Sequence, residues 1–284
     1  MSVLLLMMLP SPIPQLAIAG AISYFVYKRV FTRPSIGPKP NIHKKDYKKD
    51  TVYLYQFNRV KNVACTSPFC LKIEVLCRTS NIPYEICVKR RARSRNGTVP
   101  FIELNGEHIA DSDLIEQRIR KHFNVPDLPE AEEAQATALA RLAENHLFYV
   151  LIRYKIVVDE CWLNILSAVG APACLNFVLL PVMKILFERK YYYKSTAAIG
   201  DFEPKELNDM LYRDLKAIQV TLGSKNYLFG DEITTADATV FAHLASVYYL
   251  GRTAITDVLE KDFAEIVAYM ERVRQKLFPN DFTI

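Results

Sequence analysis

Six consecutive residues, Cys65, Thr66, Ser67, Pro68, Phe69 and Cys70, bring two hydroxyls and two thiols to a point where the pattern changes from strand to helix. Residues 51–57 (TVYLYQF) alternate β-branched and aromatic side chains, which predicts a strand. Beyond the turn, Phe69, Ile73, Leu76 and Cys77 recur at helical spacing and predict one apolar helix face. Ser67 suits the N-cap, and Pro68 suits the first helical position because its missing N–H has no intrahelical partner there. Cys70 then falls at the third helical position, among unpaired N–H groups that favour an anion, so a somewhat acidic thiol is expected. Its side chain shares the inward face of Ile73 and Cys77, whereas the Ser67 hydroxyl is expected to project toward the strand ends. A plain helix start explains Ser-Pro equally well, so the surrounding elements must decide.

Those elements follow in a telling order. Residues 83–89 (PYEICVK) predict a second strand, and a basic loop (RRARSRNG) then leads into 98–106 (TVPFIELNG), where a proline opens a strand-like run. The Val99–Pro100 bond is a place for a cis peptide. A short strand over 107–110 runs into Asp111, Ser112 and Asp113, then into a helix carried by Leu114, Ile115, Ile119 and Phe123. Ser112 is expected to cap that helix and to leave its first N–H groups facing outward from the strand ends.

Ser67-Pro68-Phe69-Cys70, Thr98 to Phe101, Asp111 with Ser112, and the later 227–245 stretch (YLFGDEITTADATVFAHLA) together resemble the glutathione transferase superfamily. The resemblance is stronger to its failed axon connections, cadmium-responsive and metaxin-like branch, and it covers most of residues 51–275. It implies an α/β thioredoxin-like N-terminal domain over 51–125 and an all-α glutathione-transferase-like C-terminal domain over 126–284, and the residues ahead of both are expected to form an N-terminal membrane-anchor helix.

Charge is distributed unevenly. The net charge is +5, yet residues 28–50 hold eight Lys or Arg against two Asp, leaving 28 against 29 in residues 51–284. A near-neutral body argues against a nucleic-acid surface, which needs a basic stripe. The six cysteines, at 65, 70, 77, 87, 161 and 174, form no CxxC pair, and no histidine stands at zinc-finger spacing, so no metal site is expected. Unpaired thiols suit a reducing compartment.

The first 27 residues carry no charged side chain, and Lys28 and Arg29 follow directly. Either residues 12–31 anchor the chain in a membrane, or the start is a secretory signal cleaved after Ala17, Ile18 and Ala19. The apolar run continues past that cut and no basic residue precedes it, which favours the anchor, and the flanking charges then place the body in the cytosol. An endomembrane, whether lysosomal or the mitochondrial outer membrane, is the expected location. Residues 32–50 read as a Pro- and Lys-rich tether, with His43 a surface residue.

Past a linker at 126–129 the chain is expected to be helical. Residues 130–160 place Leu139, Leu142, His146, Leu147, Val150 and Tyr154 on one face, which makes His146 a core histidine. Residues 161–183 are uncharged and interrupted by Gly170, Pro172 and Pro181, which fits a buried helix pair or a second membrane span. Thr234 and Asp237 have capping-box spacing ahead of an almost wholly apolar run to Leu250, which predicts a central helix. Phe263, Ile266, Val267, Met270 and Val273 predict one more amphipathic helix.

The resemblance also implies a site. In the family the proline matched by Pro100 aligns the preceding residue, here Val99, to pair with the backbone of glutathione. Asp111 and Ser112 match the pair that holds the γ-glutamyl end, and Ser67 matches the serine that donates to the glutathione sulfur. Cys70 and Cys65 are the alternative catalytic groups, since Ser67 to Cys70 also resembles a Cys-Pro-Phe/Tyr-Cys redox motif with its first cysteine replaced. The functions implied are glutathione binding or transfer to electrophiles in detoxification or cadmium stress, a non-catalytic adaptor for protein contacts, or direct cadmium binding by thiolates. Partners would be glutathione, a membrane, and a second copy or another protein. Arg90, Arg91, Arg93 and Arg95 suit either an anion-binding rim or a docking patch for an acidic partner.

Overall fold

The computed structural model describes residues 20, 24, 42–89, 92–155, 185 and 188–283. The chain divides into two compact units, Met1–Pro38 and Lys39–Ile284. In the first, Gly20 and Tyr24 are helical, and the rest of the anchor expected over 12–31 lies outside the described residues, as does the uncharged stretch 161–183. Among the described residues no helix is long and apolar enough to cross a membrane.

The second unit begins with a four-stranded sheet. Strands β1 (Val52–Tyr55), β2 (Tyr84–Cys87), β3 (Phe101–Leu104) and β4 (Glu107–Ala110) lie in the order β2-β1-β3-β4. β1 runs parallel to β2 and antiparallel to β3, and helix α1 (Pro68–Thr79) makes the crossover that parallel pairing requires. All four residues of β1 and of β3 are buried, because both faces of these inner strands are covered. On one face Val52, Leu54, Ile102, Leu104 and Ile109 pack against Ile73, Leu76 and Cys77 of α1 and Ile115 and Ile119 of α2 (Ser112–Phe123). This is a thioredoxin-like arrangement.

The opposite face carries Tyr53, Tyr55, Phe101 and the buried carboxylate of Glu103. Part of its cover comes from residues expected to be free tether. Glu103 accepts the backbone N–H groups of His43 (2.8 Å) and Lys44 (2.9 Å) and the Tyr55 hydroxyl (3.0 Å), and the His43 ring lies 5.4 Å from that of Tyr55. Farther along, the Tyr53 hydroxyl accepts the Lys48 N–H, and Asp50 is fastened to Asn105 and His122. Residues 42–50 are therefore a strap across the sheet. Both backbone N–H groups and polar or aromatic side chains of this segment make its contacts, so no apolar period marks it in the sequence.

The helical half comprises α3 (Glu130–Leu142), a π-helical turn (Ala143–Leu147), α4 (Phe148–Arg153), a helical stretch at 188–199, α5 (Pro204–Leu222), α6 (Thr235–Tyr248), α7 (Ala254–Asp262) and α8 (Ala264–Leu277). Within the described part of 130–160 the expected face forms, with Leu139, Leu147, Val150 and Tyr154 all buried. His146 is the exception and lies outside the core. It is about one-third exposed, and its Nδ1 lies 2.7 Å from the carboxylate of Asp214.

α6 is the centre of the molecule, with every residue from Ala236 to Val247 buried. Its small residues Ala238, Ala242 and Ala245 share a core with Leu71 and Val75 of α1, so the sheet half and the helical half are joined through one apolar interface. Asp237, fully buried, accepts the Thr234 N–H (2.8 Å), the Thr234 hydroxyl (2.7 Å) and the Leu228 N–H (2.9 Å). The capping box forms as its spacing predicts.

Candidate functional site

Strand register decides which of the expected site residues meet. Tyr55 pairs with Phe101, and Phe101 pairs with Ala110. The exit of β1, the entry of β3 and the exit of β4 therefore lie at one end of the sheet, which places Val99–Pro100 beside Asp111–Ser112. The Val99–Pro100 bond is cis. Among the described residues the Val99 backbone N–H and C=O have no hydrogen-bond partner. The start of α1 comes to the same end, with the Cys70 thiol near the Phe57 N–H just past β1.

Within the turn, Ser67 has the extended backbone of an N-cap, but its side chain makes no capping bond. The hydroxyl interacts instead with the thiol of Cys70. Cys65 and Cys70 are fully buried beside each other. Burial, followed by the neighbouring Cys65, pushes the Cys70 thiol well above its ordinary range. The acidic Cys70 expected from its place in the first helical turn is thus corrected. Desolvation outweighs the helix N-terminus when the sulfur points into the core.

Ser112 is also reassigned. The residue at the N-cap of α2 is Asp111, whose carboxylate accepts the Asp113 N–H at 3.1 Å, while Ser112 is the first helical residue and is largely buried. Asp111 sits at φ 80° and ψ 131°, a conformation costly to any residue with a Cβ, so the turn stores strain where the strand ends converge. Asp113 accepts from the Arg141 guanidinium at 2.7 Å. Two carboxylates and the first N–H groups of α2 therefore surround Ser112, an arrangement that suits a group bearing both an ammonium and a carboxylate.

Three contributors were not anticipated from the sequence. Lys155, at the end of α4, is 6 % exposed and donates to the carbonyls of Thr66 (3.2 Å) and Ser246 (2.9 Å). It ties the turn beside Ser67 to α6 and adds a buried positive charge there. Phe69 packs edge-on against Phe148 (4.9 Å) and His243 (5.2 Å). Burial lowers the pKa of His243 to about 4, so its ring is neutral and its Nδ1–H donates to the Thr239 carbonyl at 2.8 Å. Lys72 of α1 bridges Glu116 of α2 (2.6 Å) and Glu144 of the π-turn (2.7 Å) in a small polar cavity. A lone lysine on an apolar helix face is the signal for Lys72. Lys155 and His243 give none without their partners.

The glutathione S-transferase N-terminal domain family matches residues 68–161, and the corresponding C-terminal domain family matches 211–273. Failed axon connections of Drosophila melanogaster is 33 % identical over 258 residues, covering 85 % of this chain and 62 % of its own length. This chain is a metaxin-like member of the glutathione transferase superfamily. Metaxin-2 of Homo sapiens is 26 % identical over 224 residues, covering 73 % of the chain and 81 % of its own length. A glutathione S-transferase of Ceriporiopsis subvermispora in complex with glutathione has the same fold, with a TM-score of 0.52, 17 % identity, and coverage of 78 % of this chain and 97 % of that one. The chain thus spans under two-thirds of Failed axon connections, and its thioredoxin-like half and helical half are those of the superfamily.

Proposed function

We propose that this protein binds glutathione, or a glutathionyl group, at the end of the sheet where Val99, Ser112 and Ser67 converge. The carrying observation is the register that aligns Tyr55, Phe101 and Ala110, with the unpaired Val99 backbone beside the strained Asp111 cap. In this reading the Val99 N–H and C=O pair with the ligand backbone. The γ-glutamyl carboxylate meets Ser112 and the first N–H groups of α2, and its ammonium meets Asp111 and Asp113. The sulfur lies toward Ser67, where the helix start and the Lys155 ammonium favour a thiolate. Residues 12–31 hold the protein in a membrane with this body in the cytosol, in a role in detoxification or cadmium stress.

Titration of the full-length protein with glutathione by calorimetry tests the site. Millimolar binding that is lost in Ser112→Ala is expected; absence of heat refutes the reading. If the bound thiol is also transferred to an electrophile, Ser67→Ala lowers the rate by on the order of 100-fold and Cys70→Ser changes it little. The reverse order assigns the chemistry to Cys70 or Cys65. A second reading, a non-catalytic adaptor, is favoured by the Ser67 hydroxyl being engaged with Cys70, and it predicts no turnover in any variant.

A further inference from the structure

Residues 188–199 are helical, and their two sides differ in kind. The inner side is fixed to the helical half. Arg153 donates to the Thr196 hydroxyl at 3.0 Å and its guanidinium stacks 4.5 Å from the Tyr192 ring, while Ser195 is fully buried. Arg189, Lys190, Tyr193 and Lys194 are all exposed, and at about 100° per residue each points well away from the buried Ser195, with Arg189 at the edge of the set nearest Thr196. Ile185, 62 % exposed, continues the 189–193 stripe one turn earlier. Tyr193 is 58 % exposed, with the Arg189 guanidinium 5.6 Å from its ring. Lys194 reaches over the rings of Phe148 and Tyr149 at 5.8 and 5.9 Å, which extends the face onto α4.

Among the described residues this exposed side carries three cations and no carboxylate. Glu188 falls on the inner half of the helix, and Asp201 beyond its end turns to Tyr192 and Arg153. Exposed aromatic and aliphatic groups set among lysines and arginines on one helix face are the composition of an interfacial helix, with apolar groups at the acyl boundary and cations at the headgroups.

We infer that the exposed face formed by Ile185, Arg189, Lys190, Tyr193 and Lys194 rests on an anionic lipid surface. This contact is separate from the anchor at 12–31 and from glutathione binding. It fixes the orientation of the helical half on the membrane. Each near-surface basic residue contributes about fivefold to partitioning, so neutralising all three lowers it on the order of 100-fold.

The test places a reporter in the face itself, so an N-terminal anchor does not obscure it. The full-length protein with Trp162→Phe and Tyr193→Trp is mixed with vesicles containing brominated phosphatidylcholine, with and without about 30 % phosphatidylserine. The expected result is quenching with phosphatidylserine that is lost in Arg189→Gln/Lys190→Gln/Lys194→Gln and weakened by salt, with unchanged helical circular dichroism. No quenching in either vesicle overturns the inference. So does equal quenching in neutral vesicles or in the triple variant. Lipid-independent burial of the reporter that rises with protein concentration would assign the face to a second copy and overturn it as well.

Discussion

Lys72 offers the sharpest test of how the two halves hold the candidate site. Its side chain is 2 % exposed, and Glu116 and Glu144, at 14 % and 7 %, have little water to turn to if the ammonium is removed. Lys72→Met keeps the aliphatic volume and removes only the charge, leaving two carboxylates facing each other across a cavity. Breaking such a pair costs about 3–5 kcal/mol. Arg141 still holds Glu144 at 2.9 Å and Arg120 lies 3.8 Å from Glu116, so the lower end applies, about 3 kcal/mol. Because the cost is that of unpaired carboxylates, Lys72→Met/Glu116→Gln/Glu144→Gln is expected to recover most of it. Urea unfolding monitored by circular dichroism gives both numbers. A loss under about 1 kcal/mol for Lys72→Met, or a triple variant no more stable than the single one, refutes the reasoning. The sign in pH follows as well. Burial lowers the Lys72 pKa, but Glu116 and Glu144 outweigh it and the net shift is upward from 10.5, so this contribution is intact below that value and is lost as pH rises through the higher folded one.

Three further outcomes follow from single contacts. Asp111→Gly relieves about 1–3 kcal/mol of backbone strain and sacrifices a cap, so it melts at or above the temperature of the parent, whereas Asp111→Ala keeps the strain and loses about 1 kcal/mol; equal melting of the two variants would contradict the strained cap. Glu103→Ala leaves the Tyr55 hydroxyl buried without its acceptor and costs about 2 kcal/mol, and the amides of His43 and Lys44 then exchange as freely as those of an untethered segment. Unchanged exchange at 43 and 44 would show that the strap is held elsewhere. Asp281, held below the usual carboxylate range by the Arg78 guanidinium, contributes stability above its unfolded pKa that is lost as pH falls through the lower folded one. The melting temperature of Asp281→Asn should accordingly fall less between neutral and acidic pH than that of the parent.

Local chemistry explains which features were legible in the sequence. The alternation in 51–57, the helix after Pro68, the cis-capable Val99–Pro100 and the Thr234/Asp237 box each depend on neighbours within a few residues, so their patterns survive in one dimension. The central α6 was visible for the same reason, since a helix that is apolar all round has only one place to go. Cys70 shows where this reasoning stops. Its helical position argues for an acidic thiol and its burial argues against one, and burial is set by Cys65 and the core behind it. Ser112 lost the cap to Asp111 because strand β4 delivers Asp111 at a positive φ, a backbone state that residue types alone did not reveal.

What remained was decided by groups far apart in the chain. Glu103 meets His43 and Lys44 across about 60 positions, Lys72 meets Glu144 across 72, and Lys155 meets Thr66 across 89. No periodicity records such pairings. A buried lysine and a solvated one look alike in sequence, and only the desolvation imposed by packing makes the first demand a partner. The sequence by itself determined the strands, helices and turn of the thioredoxin-like half and the capped core helix of the other. Tertiary structure alone determined which charges are buried, which thiols are silenced, and that Val99, Ser112 and the start of α1 come to one end of the sheet, because those outcomes depend on strand register and long-range packing.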